Sequence, residues 1–156
     1  MFENVIWATD GSAAADRALP YAKALAGDAR TLVVVHSKEY FTGRAAAYTV
    51  KADEDELEAK IRRQLDELRD QGFDATLKLY PTHTGNAAHL IADVAREIGA
   101  DAIVLGTRGH GPIEGVLLGS VTQRLLHIAP CPVLAVPPTA ATVDRAESAS
   151  EELAVR

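Results

Sequence analysis

A chain of 156 residues with 47% hydrophobic content can bury the core of one domain and is too short for two of ordinary size. Its formal charge of −6 argues against nucleic acid as the main partner, because binding to a phosphate backbone depends on a basic surface. Its single cysteine, Cys131, excludes an intramolecular disulfide, and no apolar run approaches the roughly 20 residues that cross a bilayer.

Five short segments have the composition of β-strands. Unbroken apolar runs at residues 5–8, 32–35 and 102–105 suit strands that are covered on both faces. Residues 75–80 alternate apolar and polar side chains, and residues 132–136 begin with a proline. Both features favour edge strands, so we predict three central strands and two outer ones.

Segments with helical period separate these strands. Pro20 interrupts the first of them and predicts a kink or a late start there. Strands that alternate with helices imply right-handed crossovers, and therefore an α/β fold with a single doubly wound parallel five-stranded sheet and helices on both faces, as in Rossmann-like domains. Ligands of such sheets bind beyond the carboxyl ends of the strands. The apolar helical positions are Ala18, Ala22, Leu25 and Ala26, then Leu57, Ile61, Leu65 and Leu68, then Leu90, Ile91, Val94 and Ile98, and finally Val121, Leu125 and Ile128.

Two segments fall outside this alternation. Residues 41–53 form a long connection, which two interpretations fit: a lid over a ligand or a plain surface loop. The acidic run at residues 53–56 is interpreted as the start of the next helix, where negative charge is favourable. Residues 138–156 are polar and small, so we predict a tail of no assignable function after a domain that covers residues 1–137.

The segment from Gly106 to Ser120 is rich in glycine and follows a predicted central strand. Glycines let a chain bring its amides close to a phosphate group, and Ser120 is a natural N-cap for the next helix. The free N–H groups of that helix start would also attract an anion. From the glycines alone, a flexible surface turn remains an equal alternative.

The turn after the first strand, Ala8-Thr9-Asp10-Gly11-Ser12, lies at the same edge of the sheet. Asp10 could accept hydrogen bonds from ribose hydroxyls or assist a bound Mg²⁺, and it could equally cap the first helix together with Ser12. His36 ends a buried strand and is interpreted as a packed core histidine rather than a catalyst.

These segments together resemble the universal stress protein family over residues 1–137. The nucleotide-binding branch of that family has the pattern GxxG, nine residues, then G followed by S or T, and the pattern is matched by Gly106, Gly109, Gly119 and Ser120. The opening VIWATDGS, the strand VVVH, the approach GADAIVLGTRG and the segment LLGSVTQRLLHIAPCPVLAV resemble the family as well.

The resemblance implies strand order 3-2-1-4-5 and a binding site for ATP. It places Ala8, Thr9 and Asp10 beside the nucleotide and implies backbone hydrogen bonds from Ser37 to adenine. Relatives often have an apolar residue at that position, but a backbone contact would survive the change. Phosphates would lie against the loop and the following helix start, and the residues implied there are Gly106, Arg108, Gly109, Gly119, Ser120 and Val121.

We therefore expect a cytoplasmic regulatory protein of the stress response that binds ATP and signals through a homodimer, formed by the last strand at residues 132–136. Neither nucleic acid nor membrane is expected as a partner, and the first residues lack the features of a signal peptide. Three alternatives stay open: slow hydrolysis of an adenine nucleotide, binding of cyclic AMP, and a nucleotide-free interaction module. Efficient catalysis is not expected, because the loop lacks a GxxxxGK lysine.

Overall fold

Strands and helices alternate along the chain in a computed structural model that describes residues 2–40, 49–83, 86–107 and 118–138. The strands are β1 (Val5–Ala8), β2 (Thr31–Tyr40), β3 (Asp74–His83), β4 (Ala102–Gly106) and β5 (Val133–Val136). The helices are α1 (Ala13–Ala26), α2 (Thr49–Asp70), α3 (Ala87–Ile98) and α4 (Ser120–Ile128).

The strands form one parallel sheet in the order β3-β2-β1-β4-β5. This confirms the predicted fold, with the alternating strand and the proline-led strand at the two edges. Because β1 lies in the middle, the chain winds outward from it in both directions, first through β2 and β3 and then through β4 and β5. The strand order therefore reverses beside β1, which is where ligands of open α/β sheets bind.

Each face of the sheet is covered by one pair of helices. Trp7 and Val34 pack with Ile61 on the face that carries α1 and α2. Ile6 and Val35 belong to the cluster on the opposite face, which α3 and α4 cover. Successive residues of a strand point to opposite faces, so the unbroken apolar runs supply both clusters at once.

The strands β2 and β3, which lie on one side of β1, extend beyond the rest of the sheet. β2 and β3 pair from Thr31↔Asp74 to Tyr40↔His83, whereas β1 ends opposite Val35. The apolar pattern predicts shorter strands, because the polar residues at 36–40 carry no hydrophobic signal although their backbone continues to pair. The extension forms a two-stranded ribbon at the carboxyl end of the sheet.

The first helix begins where the sequence predicts its cap. α1 begins at Ala13, with the Ser12 hydroxyl accepting a hydrogen bond from the Ala15 N–H at 3.2 Å, so the predicted cap is confirmed. Pro20 lies inside this helix, and the alternative of a late start is therefore wrong.

The second helix differs more from its prediction. α2 already begins at Thr49, so the acidic run at residues 53–56 does not start it, and the expected 41–53 connection is shorter than predicted. The remaining connection, residues 41–48, lies outside the described residues, as do residues 139–156 of the predicted tail. Within the described ranges, no helix combines the length and the apolarity that spanning a bilayer requires.

Candidate functional site

A cavity of about 420 Å³ opens at the carboxyl end of the sheet, a volume typical of small-molecule sites. It lies where β1 ends, between the longer β2 and the end of β4. Both helix layers contribute to its wall, so it reaches over the edge of the sheet from one face to the other. The lining residues are Ala8, Thr9, Asp10, Ala15, Val35, His36, Ser37, Glu54, Leu57, Ala87, Ile91, Leu105, Gly106, Ser120, Val121 and Thr122.

The edge of β2 that faces β1 loses its partner strand at this cavity. The Thr9 N–H donates to the Val35 carbonyl at 3.0 Å, which is the last rung between the two strands. Backbone groups of alternate residues face the same side of a strand, so the N–H and C=O of Ser37 face the side on which β1 has ended. An extended strand therefore presents a donor and an acceptor to whatever occupies the cavity.

The turn after β1 is held tightly by its own side chains. The Asp10 Oδ1 atom accepts a hydrogen bond from the Ser12 N–H at 3.0 Å, and the Thr9 hydroxyl accepts one from the Gly11 N–H at 3.0 Å. Gly11 has a φ of +74°, a conformation that glycine adopts without strain. This arrangement places Ala8, Thr9 and Asp10 in the cavity wall, where the predicted contacts require them.

The end of β4 and the start of α4 form the opposite wall. A Cβ atom added to Gly106 would lie 2.8 Å from the backbone carbon and oxygen of Ala14, so the close approach of α1 explains this glycine. The Thr122 hydroxyl donates to the Gly106 carbonyl at 3.0 Å, and the Gly119 N–H donates to the Thr107 carbonyl at 2.7 Å. These bonds join β4 to the start of α4 and bring the two ends of the glycine-rich segment together.

The start of α4 differs by one residue from the predicted cap. Gly119 is the N-cap, with extended φ and ψ, and Ser120 is the first residue of the helix. Ser120 and Val121 line the cavity, so the helix start still faces it. Arg108 and Gly109, which the resemblance places against phosphates, lie outside the described residues.

His36 joins three elements at the cavity. Its side chain is 3% exposed, with Nδ1 2.8 Å from the Thr9 carbonyl and Nε2 2.8 Å from the Glu54 Oε1 atom. A carbonyl oxygen can only accept, so Nδ1 carries a proton. A neutral imidazole has a single N–H, and this arrangement therefore requires one further proton between Nε2 and the carboxylate.

Two hydroxyl groups at this end of the sheet are buried without a hydrogen-bond partner among the described residues. They are the Oγ atom of Ser37, which lines the cavity, and the Oγ1 atom of Thr107, which follows β4. An unsatisfied buried hydroxyl costs about 1–3 kcal/mol, so such groups call for an explanation.

The sequence is similar to that of a known protein family. A family model described as the universal stress protein family matches residues 1–137. The chain belongs to that family. A universal stress protein of Thermus aquaticus is 35% identical over 140 residues, which cover 87% of this chain and 99% of the relative.

Solved structures of universal stress proteins match the fold. UspA from Lactobacillus plantarum superimposes with a TM-score of 0.69 at 24% identity, over 86% of this chain and 97% of that one. A universal stress protein in complex with cAMP superimposes with a TM-score of 0.63 at 26% identity, over 86% and 97% of the two chains. The first likeness supports the fold, and the second is to a protein that holds an adenine nucleotide.

The structure gathers most of the predicted site residues around the cavity. Seven of them line it, namely Ala8, Thr9, Asp10, Ser37, Gly106, Ser120 and Val121, and Gly119 precedes the helix start. Sequence reasoning missed the contributions of His36, Glu54 and Thr122 to the wall. The position of His36 could have been predicted, since it is the polar residue that ends the apolar run of β2 just before Ser37. No local pattern predicts a contribution from Glu54.

Proposed function

We propose that this universal stress protein binds an adenine nucleotide in the cavity at the carboxyl end of its sheet and acts as a regulatory protein rather than as an efficient enzyme. The observation that carries the proposal is the edge of β2 at Ser37 that faces away from β3, beside which no described residue continues β1. The backbone donor and acceptor of Ser37 face a site that the next strand does not fill. An adenine ring offers an acceptor and a donor along one edge and can therefore replace that strand.

The wall residues fit such a ligand in other respects. The buried hydroxyl of Ser37 lacks a partner among the described residues, and a ribose or base would supply one. Asp10 lies in the wall on the turn after β1 and is suited to ribose hydroxyls or to a Mg²⁺ ion beside the phosphates. At the start of α4, free N–H groups and the helix dipole favour a phosphate near Ser120.

ATP is the proposed ligand, because the chain matches the glycine pattern of the family's ATP-binding branch at Gly106, Gly109, Gly119 and Ser120. Arg108 and Val121 complete the proposed phosphate contacts. Cyclic AMP is the second candidate, and the similarity to a universal stress protein in complex with cAMP supports it. The two ligands share adenine and ribose, so they differ mainly in what they require of the glycine-rich segment.

We further propose that nucleotide binding is signalled through a homodimer formed by β5. This strand is an edge of the sheet, and its Leu134 side chain is 38% exposed. An open strand edge with an apolar side chain favours pairing with a second copy. Light scattering at micromolar concentration is expected to give the mass of two chains, and Leu134→Glu is expected to give the mass of one.

The ligand is tested by mass spectrometry of small molecules released from protein purified without added nucleotide. Calorimetric titrations with ATP, ADP, AMP and cyclic AMP then rank the affinities. We expect adenine nucleotides to bind, and Asp10→Ala to weaken their binding by roughly 10- to 100-fold, since a hydrogen bond to a charged group contributes roughly 1.5–3 kcal/mol. A wild-type protein that binds none of the four nucleotides would refute the proposal.

A further inference from the structure

The turn after β1 is held from outside as well as by its own side chains. The Thr9 carbonyl accepts a hydrogen bond from His36 Nδ1 at 2.8 Å, and the Gly11 carbonyl accepts one from Lys60 Nζ at 2.7 Å. These two carbonyls flank Asp10, so the backbone on both sides of the proposed nucleotide contact is fixed by side chains from other elements.

Both of these side chains connect the turn to α2. Lys60 belongs to that helix, and it also bonds the Asp16 carboxylate at 2.6 Å. His36 reaches the helix through its second ring nitrogen, which bonds Glu54 at 2.8 Å. Lys60 contacts the turn directly, whereas Glu54 contacts it only through His36. Leu57 is three positions from each of them, so the three residues form one continuous row of neighbours on α2.

Leu57 fills the space between these two polar contacts. It lies so close to the turn that a Cβ atom on Gly11 would be 1.9 Å from its Cδ1 atom. Leu57 and Glu54 also line the cavity beside Thr9 and Asp10. The same side of α2 therefore packs on the turn and borders the space that the ligand would occupy.

We propose that His36 and Glu54 are positioning residues that hold the Asp10 turn and couple nucleotide binding to the docking of α2. This inference rests on the proposed function, because it concerns regulation of that same site. The pair transmits an effect in both directions: a docked helix fixes the turn for the nucleotide, and a bound nucleotide fixes the turn for the helix. Coupling between two such events is necessarily reciprocal.

The pair is suited to this role because His36 is buried, Glu54 is half-buried, and the two ring nitrogens of His36 are both in hydrogen bonds. His36 is 3% exposed and Glu54 is 18% exposed, so water competes poorly for their hydrogen bonds. His36 cannot turn away without leaving the Thr9 carbonyl unsatisfied. A displacement of Glu54 therefore shifts His36 and, through it, the Thr9 carbonyl next to Asp10, although Glu54 is on another element.

A set of three variants tests the coupling against a purely structural role. Glu54→Ala removes the bond to His36. Glu54→Gln preserves it, because the glutamine amide can donate to the neutral Nε2 atom without a further proton. The matched control is Glu58→Ala, one turn later on the same helix, whose carboxylate bonds Lys38 and Arg62 and is not among the residues that line the cavity.

Two measurements are made on each protein: the dissociation constant for ATP by calorimetry, and amide hydrogen exchange across residues 54–60 with and without saturating ATP. We expect ATP to slow exchange in the wild type. Glu54→Ala should bind about tenfold more weakly, within the roughly 5- to 150-fold range of allosteric couplings, and should lose most of the slowing. Glu54→Gln should restore both, and Glu58→Ala should match the wild type.

The outcomes separate this inference from the proposed function. If the wild type binds ATP but residues 54–60 exchange equally fast with and without it, the coupling is refuted and nucleotide binding stands. The same holds if Glu54→Ala folds and binds ATP as tightly as Glu58→Ala does. If the wild type binds no adenine nucleotide, both proposals fail. Should Glu54→Ala prove unfolded by circular dichroism, the exchange of the wild type alone decides.

Discussion

The two ends of the sheet are built in different ways. At the amino end, polar groups satisfy one another: the Asp101 carboxylate accepts hydrogen bonds from the N–H groups of Glu3 and Asn4 at 2.7 and 2.8 Å, and the Asp101 N–H returns one to the Asn4 carbonyl at 2.9 Å. At the carboxyl end, Ser37 and Thr107 keep buried hydroxyls without a partner among the described residues. These polar groups at the amino end are therefore hydrogen-bonded, whereas the carboxyl end has hydroxyl groups that can still form hydrogen bonds.

Under the proposed function, this difference predicts that the amino end contributes to stability and the carboxyl end to nucleotide binding. Arg30 and Lys23 lie over the Phe73 ring at 5.3 and 5.7 Å, and the Arg30 carbonyl accepts from the Asp74 N–H, so the amino end closes over an aromatic side chain. Changes there should lower stability alone. Changes at the carboxyl end should alter nucleotide affinity, and one of them, Ser37→Ala, should leave the free protein at least as stable as the wild type.

The largest effect is expected at Gly106. In Gly106→Ala the new methyl group would lie 2.8 Å from the Ala14 backbone, so β4 and α1 must move apart, at a cost of about 1–3 kcal/mol in the free energy of unfolding. Urea denaturation measures this loss, and calorimetry should give weaker ATP binding because both elements line the cavity.

The matched control lies at the amino end, where Gly27 caps α1 with a φ of 49°. A Cβ atom there would meet nothing closer than 3.9 Å, so Gly27→Ala should cost only backbone strain, about 1–2 kcal/mol, and leave ATP affinity unchanged. Equal affinities in the two variants would mean that the approach of α1 to β4 does not shape the site.

The next effect is expected at Ser37, where a substitution should lower the affinity for ATP without lowering the stability of the free protein. Ser37→Ala removes an unsatisfied buried hydroxyl, so the free energy of unfolding of the free protein should stay the same or rise. Affinity for ATP should fall about three- to tenfold, which corresponds to one hydrogen bond of roughly 0.5–1.5 kcal/mol.

Thr31→Ala on the same strand is the control for Ser37. The Thr31 hydroxyl donates to the Ala29 carbonyl at the amino end of β2, and its loss should leave affinity unchanged. Thermal denaturation and calorimetry on both variants check these signs. A Ser37→Ala protein that is less stable and binds ATP normally would show that the hydroxyl serves the fold.

A smaller effect is expected from Phe73→Leu. The substitution keeps an apolar side chain against the core but removes the ring that Lys23 and Arg30 cover. Cation–π contacts at exposed positions contribute about 0.5–1 kcal/mol each, so chemical denaturation should give a loss of roughly 1 kcal/mol. ATP affinity should not change, and a marked change would contradict the separation of the two ends.

The smallest effect concerns Asp101 and depends on pH. Hydrogen bonds from the N–H groups of Asn4 and Glu3 hold the pKa of Asp101 below its usual value of 3.8. A lowered pKa in the folded state contributes stability above the ordinary pKa of the group, and this contribution is lost as the pH falls through the folded value.

Asp101→Asn should therefore have a lower Tm than the wild type near pH 6, and the difference should shrink as the pH falls below 3.8 and the wild-type carboxylate gains its proton. Thermal denaturation across this range measures the change, and ATP binding near pH 7 should be unaffected. A difference in Tm that is the same at every pH would exclude the carboxylate as its cause.

Much of this architecture could be predicted from residue pattern alone. The apolar runs at β1, β2 and β4 lie in the middle of the sheet because both of their faces are covered, and the proline that precedes β5 is tolerated because an edge strand has a free side. The cap at Ser12 followed in the same way from local chemistry. The strand order 3-2-1-4-5 came from family resemblance, and the sheet confirms it.

What escaped prediction depends on contacts between distant residues. The extension of β2 to Tyr40 is stabilised by pairing with β3, so polar side chains do not end it. The sequence does not predict the beginning of α2 at Thr49, because Thr49 and Val50 are weak helix formers and the acidic run that follows is typical of a helix start. Glu54 finds His36 only through the packing of α2 on the sheet, which no spacing in the sequence records.

The position of β1 between β2 and β4 also bears on how the protein is made. The cavity wall joins residues from the first quarter of the chain, such as Asp10 and Ser37, to residues near its end, such as Ser120. A ribosome therefore releases β1, β2 and β3 well before β4 and α4 can complete the pocket. Under the proposed function, the cavity can therefore hold a nucleotide only after the residues of α4 have been synthesised and have packed on the sheet.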